Sequence, residues 1–263
     1  MVRRGLVANR ELARLAVAQG QVVVGGAPAT NPSRLVSPGE SVAVKGPPPQ
    51  FVSRGGHKLQ AALERFRVDL SGRRVLDVGS STGGFTDCAL QAGAAQVVSV
   101  DVGRGLLHRR LVTDQRVELH ERTNIRHLSP GDLGPLAEVV VGDVSFISLT
   151  MLSDTLLALA TPGADLLLLV KPQFEAGREE VDAGRGVITD PSVWHRVLLE
   201  VLGNIAGHGA AIMGLMISPL RGADGNVEFV VHAQAPDGST RPIADGPTLI
   251  QLVTAVVDEV AGS

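Results

Sequence analysis

The chain has 263 residues, 44% of them apolar, and a formal net charge of −3. That length accommodates one large domain and a small one with a well-buried core. The strongest apolar run, Leu166 to Val170, is far short of a membrane span, and no basic-then-apolar leader opens the sequence, which argues against a membrane anchor or secretory signal and predicts a cytoplasmic protein with no membrane partner.

Charge is uneven along the chain. Residues 1–58 carry eight basic side chains (Arg3, Arg4, Arg10, Arg14, Arg34, Lys45, Arg54 and Lys58) against Glu11 and Glu40, a net of +6. The remainder holds 16 basic and 25 acidic residues, a net of −9. A basic front on an acidic body predicts that the front meets a polyanion, with Arg3, Arg4, Arg10, Arg14 and Arg54 as candidate RNA contacts; a solvated basic face without a partner is the other reading. Residues 2–20 read as helical, with Leu6, Leu12, Leu15, Ala16 and Gln19 near a helical period and Gly20 as the stop. Gln21-Val22-Val23-Val24 followed by Gly25-Gly26 reads as a strand and tight turn, and a second short strand falls at residues 41–44. This gives an α+β module at 1–46. A Pro/Gly linker spans 47–56, because Pro47-Pro48-Pro49 favours a stiff extended chain. The main domain occupies 57–263.

After a helix to Phe66 with Leu59, Ala62, Leu63 and Phe66 on one face, strands and helices alternate. Strands are predicted at 74–78, 96–100, 117–119, 137–142, 164–170, 210–217 and 227–232, and helices at 84–92, 104–111, 149–159, 191–206 and 246–260. All-apolar strands in repeated βα units point to a parallel sheet buried on both faces, and the short link 218–226 to an antiparallel ending. Cys88, the single cysteine, falls on an apolar helix face and reads as a buried thiol. Residues 175–190 form a Gly- and charge-rich stretch, read either as a functional lid or as a disordered loop.

The chemistry centres on Val75-Leu76-Asp77-Val78-Gly79-Ser80-Ser81-Thr82-Gly83-Gly84-Phe85. An apolar strand carrying an acid runs into a D-x-G-x-x-x-G-G turn and then a helix. The spacing is neither the dinucleotide fingerprint nor a P-loop, and no lysine is present to hold a triphosphate. A compact nucleoside-type cofactor such as S-adenosylmethionine suits it, with Asp77, Gly79, Ser81, Thr82, Gly83, Gly84 and Phe85 as candidate contacts; a Rossmann-like fold with a tight first turn is the alternative. Ligands in open α/β sheets bind outside the carboxyl ends of the strands. Asp101 ends the second strand, where an acid accepts from ribose hydroxyls or caps the next helix. Asn124 follows the third strand, and contact with an adenine edge or a plain turn both suit it. Asp143 follows the fourth strand. Lys171 follows Leu166–Val170, where desolvation favours the uncharged amine and so prepares a general base or a positioned cation. Glu228, at the start of an antiparallel last strand, would face the same edge, and Lys58 would reach it from the leading helix. Lys58, Asp143, Lys171 and Glu228 thus form a candidate catalytic tetrad of alternating charge. No metal site is predicted.

Several motifs together resemble the TlyA-type (hemolysin A) rRNA methyltransferases, relatives of the FtsJ-like 2′-O-methyltransferases. They are Val52-Ser53-Arg54-Gly55-Gly56-His57-Lys58-Leu59, the glycine loop, Glu121-Arg122-Thr123-Asn124, Asp143-Val144-Ser145-Phe146, Lys171-Pro172-Gln173-Phe174-Glu175 and Gly225-Asn226-Val227-Glu228. The resemblance implies a class I (Rossmann-like) methyltransferase domain behind an S4-like RNA-binding domain. It implies S-adenosylmethionine as cofactor, the K-D-K-E tetrad at Lys58, Asp143, Lys171 and Glu228, and a cytidine 2′-hydroxyl of ribosomal RNA as substrate, within a ribosomal subunit as partner. The front is shorter than in longer members, which favours the large subunit as target. A non-catalytic RNA-binding or ribosome-assembly factor and a membrane-lytic protein are the competing classes. With 3% aromatic residues and no Tyr, extended base-stacking surfaces are not expected; Phe146 or Phe174 could stack on one extruded base, with core packing the expected role for either.

Overall fold

A computed structural model describes residues 1–7, 10–18, 20–46, 49–222, 224–238 and 246–262, which fall into two compact units, Met1–Ser53 and Arg54–Ser263. Gln19, Pro47 and Pro48 lie outside the described residues, as do the side chains of Leu12 and Leu15.

In the first unit the predicted 2–20 helix is interrupted. A single 3₁₀ turn, Val2–Arg4, stops at Gly5, whose φ of 66° lets its N–H turn back onto Val2 O. Helix α1 (Arg10–Ala18) follows. Strands β1 (Val22–Val24), β2 (Ala27–Pro28) and β3 (Val42–Val44) make an antiparallel sheet in the order β2-β1-β3. Strand β2 was not predicted. Gly25 and Gly26, at φ 59° and 88°, supply the two positive-φ positions of a tight hairpin between Val24 and Ala27, and so create it. Ala16, Val17, Val22, Val24 and Ala29 form the small core.

The second unit contains α2 (Gly55–Phe66), β4 (Arg74–Val78), α3 (Gly84–Gln91), β5 (Gln96–Val100), α4 (Arg109–Val112), β6 (Val117–His120), β7 (Ala137–Gly142), α5 (Ser153–Ala158), β8 (Ala160–Val170), α6 (Pro172–Glu175), α7 (Arg178–Ala183), α8 (Pro191–Gly207), β9 (Ala211–Ile217), β10 (Phe229–Gln234) and α9 (Gly246–Ala261). The seven-stranded sheet runs β6-β5-β4-β7-β8-β10-β9, parallel except for β10, which is antiparallel to both neighbours. This is the expected mostly parallel, doubly wound sheet with an antiparallel ending. Leu166 to Val170 are each at most 1% exposed, and burial of each side chain contributes roughly 1.5–3 kcal/mol before the entropy of ordering it.

Three local readings change. The predicted 104–111 helix shrinks to α4, because Gly105 takes φ 64° and the preceding residues curl back, with Gly103 N bonded to the Asp101 carboxylate. The 149–159 helix divides into a 3₁₀ turn at Leu149–Met151, capped by Ser148, and α5. The 175–190 stretch is neither one open loop nor disordered, since it contains α7. Cys88 is 3% exposed, and burial, followed by the nearby acids Asp87, Glu64 and Asp77, pushes its thiol up to about 12, which makes it an inert core residue.

Candidate active site

The strand order reverses direction between β4 and β7, and a ligand cleft opens at such a switch point. A cleft of about 560 Å³ lies there, walled by the ends of β4, β5 and β7 and the segment after β6. Gly79 is required at its floor: φ is 78°, and a Cβ would stand 2.9 Å from the Asp143 carbonyl oxygen. Ser81 is also left-handed, at φ 45°, a strained conformation for a residue with a side chain. Its N–H is fixed by Asp101 Oδ2 at 2.8 Å, while Asp101 Oδ1 accepts from Gly103 N at 2.7 Å. Asp101 therefore shapes the glycine loop and also lines the cleft.

Of the predicted cofactor contacts, Gly79, Ser81, Asp101, Asn124 and Asp143 line this cleft. Asp77, Thr82, Gly83, Gly84 and Phe85 are displaced from it, for packing reasons. Gly83 sits where a Cβ would strike Leu111 and Leu107, so this glycine lets the loop pack on the 107–111 segment. Thr82 O accepts from His108 N, and Gly84 and Phe85 are buried in the first turn of α3. Asp77 is fully buried; its Oδ2 accepts from Thr86 Oγ1 at 2.5 Å, and that hydroxyl also meets Ser99 Oγ at 2.9 Å. Among the described residues its Oδ1 has no hydrogen-bond partner.

Burial, with smaller contributions from Asp143 and Asp101, pushes the Asp77 carboxyl up to about 7. The folded state then binds more protons than the unfolded state between about 4 and 7, so this group's stabilisation is complete below about 4 and is lost as pH rises through 7. Asp77→Asn, which mimics the protonated acid, is expected to flatten that loss and to raise stability at pH 8 relative to wild type, on the order of a few kcal/mol. Urea denaturation at pH 5 and pH 8 checks this; an equal pH dependence in both proteins refutes it.

The four tetrad residues form two close ion pairs. Lys171 leaves β8 with its Nζ 2.6 Å from Asp143 Oδ1 and donates a hydrogen bond to Ser145 Oγ at 2.9 Å. Its Nζ also stands 5.7 Å from the Phe174 ring centroid. Lys58 Nζ lies 2.5 Å from Glu228 Oε2, with side-chain exposures of 8% and 3%. Phe229 pairs with Val170 in the sheet, so the same register carried one residue further sets Glu228 opposite Lys171. Glu228 precedes β10 rather than lying within it, but its carbonyl still accepts from Ser218 N. Helix α2 buries Leu59 and Ala62, which directs Lys58 inward toward Glu228.

Sequence reasoning missed several supports. Ser145 holds Lys171, and Glu175 accepts from Ser148 Oγ at 2.5 Å and Leu149 N at 2.8 Å, tying the segment after β8 to the one after β7. Burial raises the Glu175 carboxyl above its ordinary value. Both residues lie inside the quoted motifs, but nothing in their spacing marks them. Phe146 corrects the core-packing reading: it is 90% exposed, at φ 64°, and lies at the cleft with its ring 5.0 Å from that of Phe174.

Among the basic candidates, Arg3, Arg4, Arg10 and Arg14 line a groove of about 660 Å³ in the first unit, together with Arg34. The Arg4 guanidinium is engaged by the carbonyls of Glu40, Ser37 and Pro38, so it braces that unit. Arg54 belongs to the second unit, where its Nη2 donates to Arg221 O at 2.6 Å, a tie to the β9–β10 connection.

The cleft fits S-adenosylmethionine. Asp101 at the end of β5 suits a ribose diol, Val102, Leu106 and Ile125 offer apolar walls for a purine, and Asp101 with Asp143 gives the acidic surroundings a sulfonium favours. Fold and site together define a class I methyltransferase that uses S-adenosylmethionine. The chain belongs to the FtsJ-like methyltransferase family, whose model matches residues 51–235, and an S4 domain matches residues 1–42. It is 45% identical over 243 residues to YqxC of Bacillus subtilis, described as a candidate rRNA methyltransferase, covering 90% of this chain and 84% of that one. It is 41% identical over 259 residues to TlyA of Mycobacterium tuberculosis, a 16S/23S rRNA (cytidine-2′-O)-methyltransferase, covering 94% and 96%. A solved Streptococcus thermophilus structure described as a candidate hemolysin superposes with a TM-score of 0.78 at 36% identity, covering 99% of this chain and 94% of that one. No helix among the described residues is long and apolar enough to cross a membrane.

Proposed function

We propose that the chain methylates the ribose 2′-hydroxyl of a cytidine in ribosomal RNA, with large-subunit RNA as the first substrate. The observation that carries this is Lys171, whose Nζ is held at the carboxyl edge of the sheet by two residues of the cleft lining, Asp143 and Ser145. The substrate class is supported by what the Mycobacterium relative is named for. A 2′-hydroxyl is a weak nucleophile at neutral pH and needs a group to take its proton. Lys171 is that group in this proposal, positioned by Asp143 and Ser145. The Lys58–Glu228 pair backs it, with Glu228 opposite Lys171 in the sheet register and its charge matched by Lys58. Bound S-adenosylmethionine supplies a methyl group on a sulfonium centre. Phe146 offers a flat exposed face at the cleft for an extruded cytosine, in keeping with enzymes that act on nucleotides drawn out of a helix.

The decisive experiment maps 2′-O-methyl cytidines in both ribosomal RNAs from cells with and without the gene. The expected result is one large-subunit position lost on deletion and restored by the wild-type gene; identical maps refute the proposal. The arginine groove is proposed to hold RNA backbone. Replacing Arg3, Arg10 and Arg14 by Ala should reduce the slope of log affinity against log salt by roughly 0.7–0.9 per lost phosphate contact, with little sequence dependence. An unchanged slope removes the groove from the RNA interface.

A further inference from the structure

One buried amide ties the 176–190 segment to the strand start that carries Glu228. Asn226 is 1% exposed. Its Oδ1 accepts from Ile188 N at 2.9 Å and its Nδ2 donates to Gly186 O at 2.8 Å. A carbonyl and the N–H two residues on are the pair of groups that a neighbouring strand's backbone would satisfy, so this side chain does the work of a missing strand partner. Its own carbonyl accepts from Gly222 N at 2.9 Å, drawing the β9–β10 connection over the same place. That connection is tight against the catalytic carboxylate: a Cβ on Gly222 would stand 2.6 Å from Glu228 Oε1. Ile188 O in turn accepts from Trp194 Nε1 at 3.2 Å, anchoring the segment to α8. Glu180 also pairs with Arg196 of α8, its two oxygens 2.7 and 2.6 Å from Nη2, so α8 holds the far side of the segment, while Asn226 ties its 186–188 end to the strand start two residues from Glu228.

We propose that Asn226 is a positioning residue for methyl transfer: it latches the 176–190 segment to the start of β10 and so holds Glu228 against Lys58. The inference rests on the tetrad reading above. In this account, opening the segment and misaligning the Lys58–Glu228 pair are one event. The latch lies on the β8–β10 side of the sheet and its hydrogen-bond partners, Gly186, Ile188 and Gly222, are not residues of the cofactor cleft, so it acts on turnover and not on cofactor affinity.

Two variants of the full chain test it. Asn226→Asp keeps the size and the acceptor but turns the donor facing the Gly186 carbonyl into a carboxylate oxygen. Gly184→Ala loosens the same segment from its exposed side without touching Asn226, because a Cβ there would stand 2.0 Å from Val187 O. For each, kcat and KM on ribosomal RNA, S-adenosylmethionine affinity by calorimetry, thermal midpoint and tryptic cleavage after Arg178 and Arg185 are measured. Both variants are expected to lose at least tenfold in kcat and to gain at least tenfold in cleavage rate, with cofactor affinity within twofold of wild type and the thermal midpoint nearly unchanged. If Asn226→Asp does not fold, Gly184→Ala alone decides. Faster cleavage with wild-type kcat overturns the latch, as does a loss of kcat that follows a matching loss of cofactor affinity or of the folded state. A wild-type chain that methylates no ribosomal RNA overturns the functional reading instead, and the cleavage arm then still decides whether Asn226 holds the segment.

Discussion

Lys171→Ala is expected to lower kcat for methyl transfer by about 10²–10⁴-fold, the usual weight of a positioned proton acceptor, while S-adenosylmethionine affinity stays within a few-fold of wild type. The separation follows from the geometry. Lys171 makes its polar contacts to the cleft lining with Asp143 and Ser145 and is not itself a lining residue, whereas Gly79, Ser81, Asp101 and Asn124 line the cleft directly. Lys171→Met retains most of the hydrocarbon stem that follows the buried β8 strand, so a similar loss in Met and Ala variants assigns the effect to the amine rather than to packing. Lys171→Arg separates two roles. A guanidinium remains charged at any working pH and cannot accept a proton, so an inactive Arg variant supports proton transfer, and an active one shows that only a positioned cation is needed. Rapid-quench turnover with labelled cofactor, alongside calorimetry, provides both readouts. Full activity in Lys171→Ala would sink the tetrad mechanism.

What was legible in the sequence follows from the range over which each signal acts. The parallel sheet could be read from Val75–Val78, Val97–Val100 and Leu166–Val170 because strands buried on both faces run apolar on both, with Asp77 and Ser99 the polar exceptions in these three. The antiparallel ending could be read because 218–226 is too short for a crossover helix. The two ion pairs, Lys171–Asp143 and Lys58–Glu228, join residues the sequence placed at one sheet edge, because charged residues at strand exits in an α/β sheet converge there. The cofactor loop was read less well. In D-x-G-x-x-x-G-G a glycine that approaches a ligand and a glycine that approaches a helix look alike, and only the structure shows that Gly79 meets the Asp143 backbone while Gly83 meets Leu107 and Leu111. An acid in such a turn reads from sequence as a ligand contact, but the hydroxyl of Thr86, nine residues on, holds the Asp77 carboxylate inward. Asn226 and Glu175 were missed because their partners, Gly186, Ile188, Ser148 and Leu149, lie 26 to 40 residues away and are mostly backbone atoms, which carry no sequence signature. Of the two readings open for Phe146, core packing rests on hydrophobicity alone and is overturned by its left-handed backbone and 90% exposure, which leave the exposed ring of the stacking reading.

Glu228→Gln is expected to cost about 3–5 kcal/mol of folding stability as well as activity, because it strands the Lys58 ammonium in a buried site without its counter-charge. Both partners of this pair are almost fully buried, so solvent cannot take the place of the lost carboxylate. Lys58→Met alone should cost a similar amount for the opposite reason, leaving the Glu228 carboxylate buried and unpaired. The double variant Lys58→Met/Glu228→Gln removes both charges, and a buried pair replaced by neutral groups of similar size is often close to neutral in stability. Its cost should therefore fall well below the sum of the two single variants, a coupling of several kcal/mol in a urea double-mutant cycle. Against a typical total of about 5–15 kcal/mol, each single variant is also expected to aggregate or express poorly while the double variant recovers. Activity does not follow that rescue. If the pair serves methyl transfer, all three variants stay inactive even though the double variant is folded and stable, and this divergence separates a catalytic role from a purely structural one. Additive stability losses would show that the two charges do not depend on one another; recovery of methyl transfer in the double variant would show that the pair serves only the fold, leaving Lys171 and Asp143 to carry the chemistry alone.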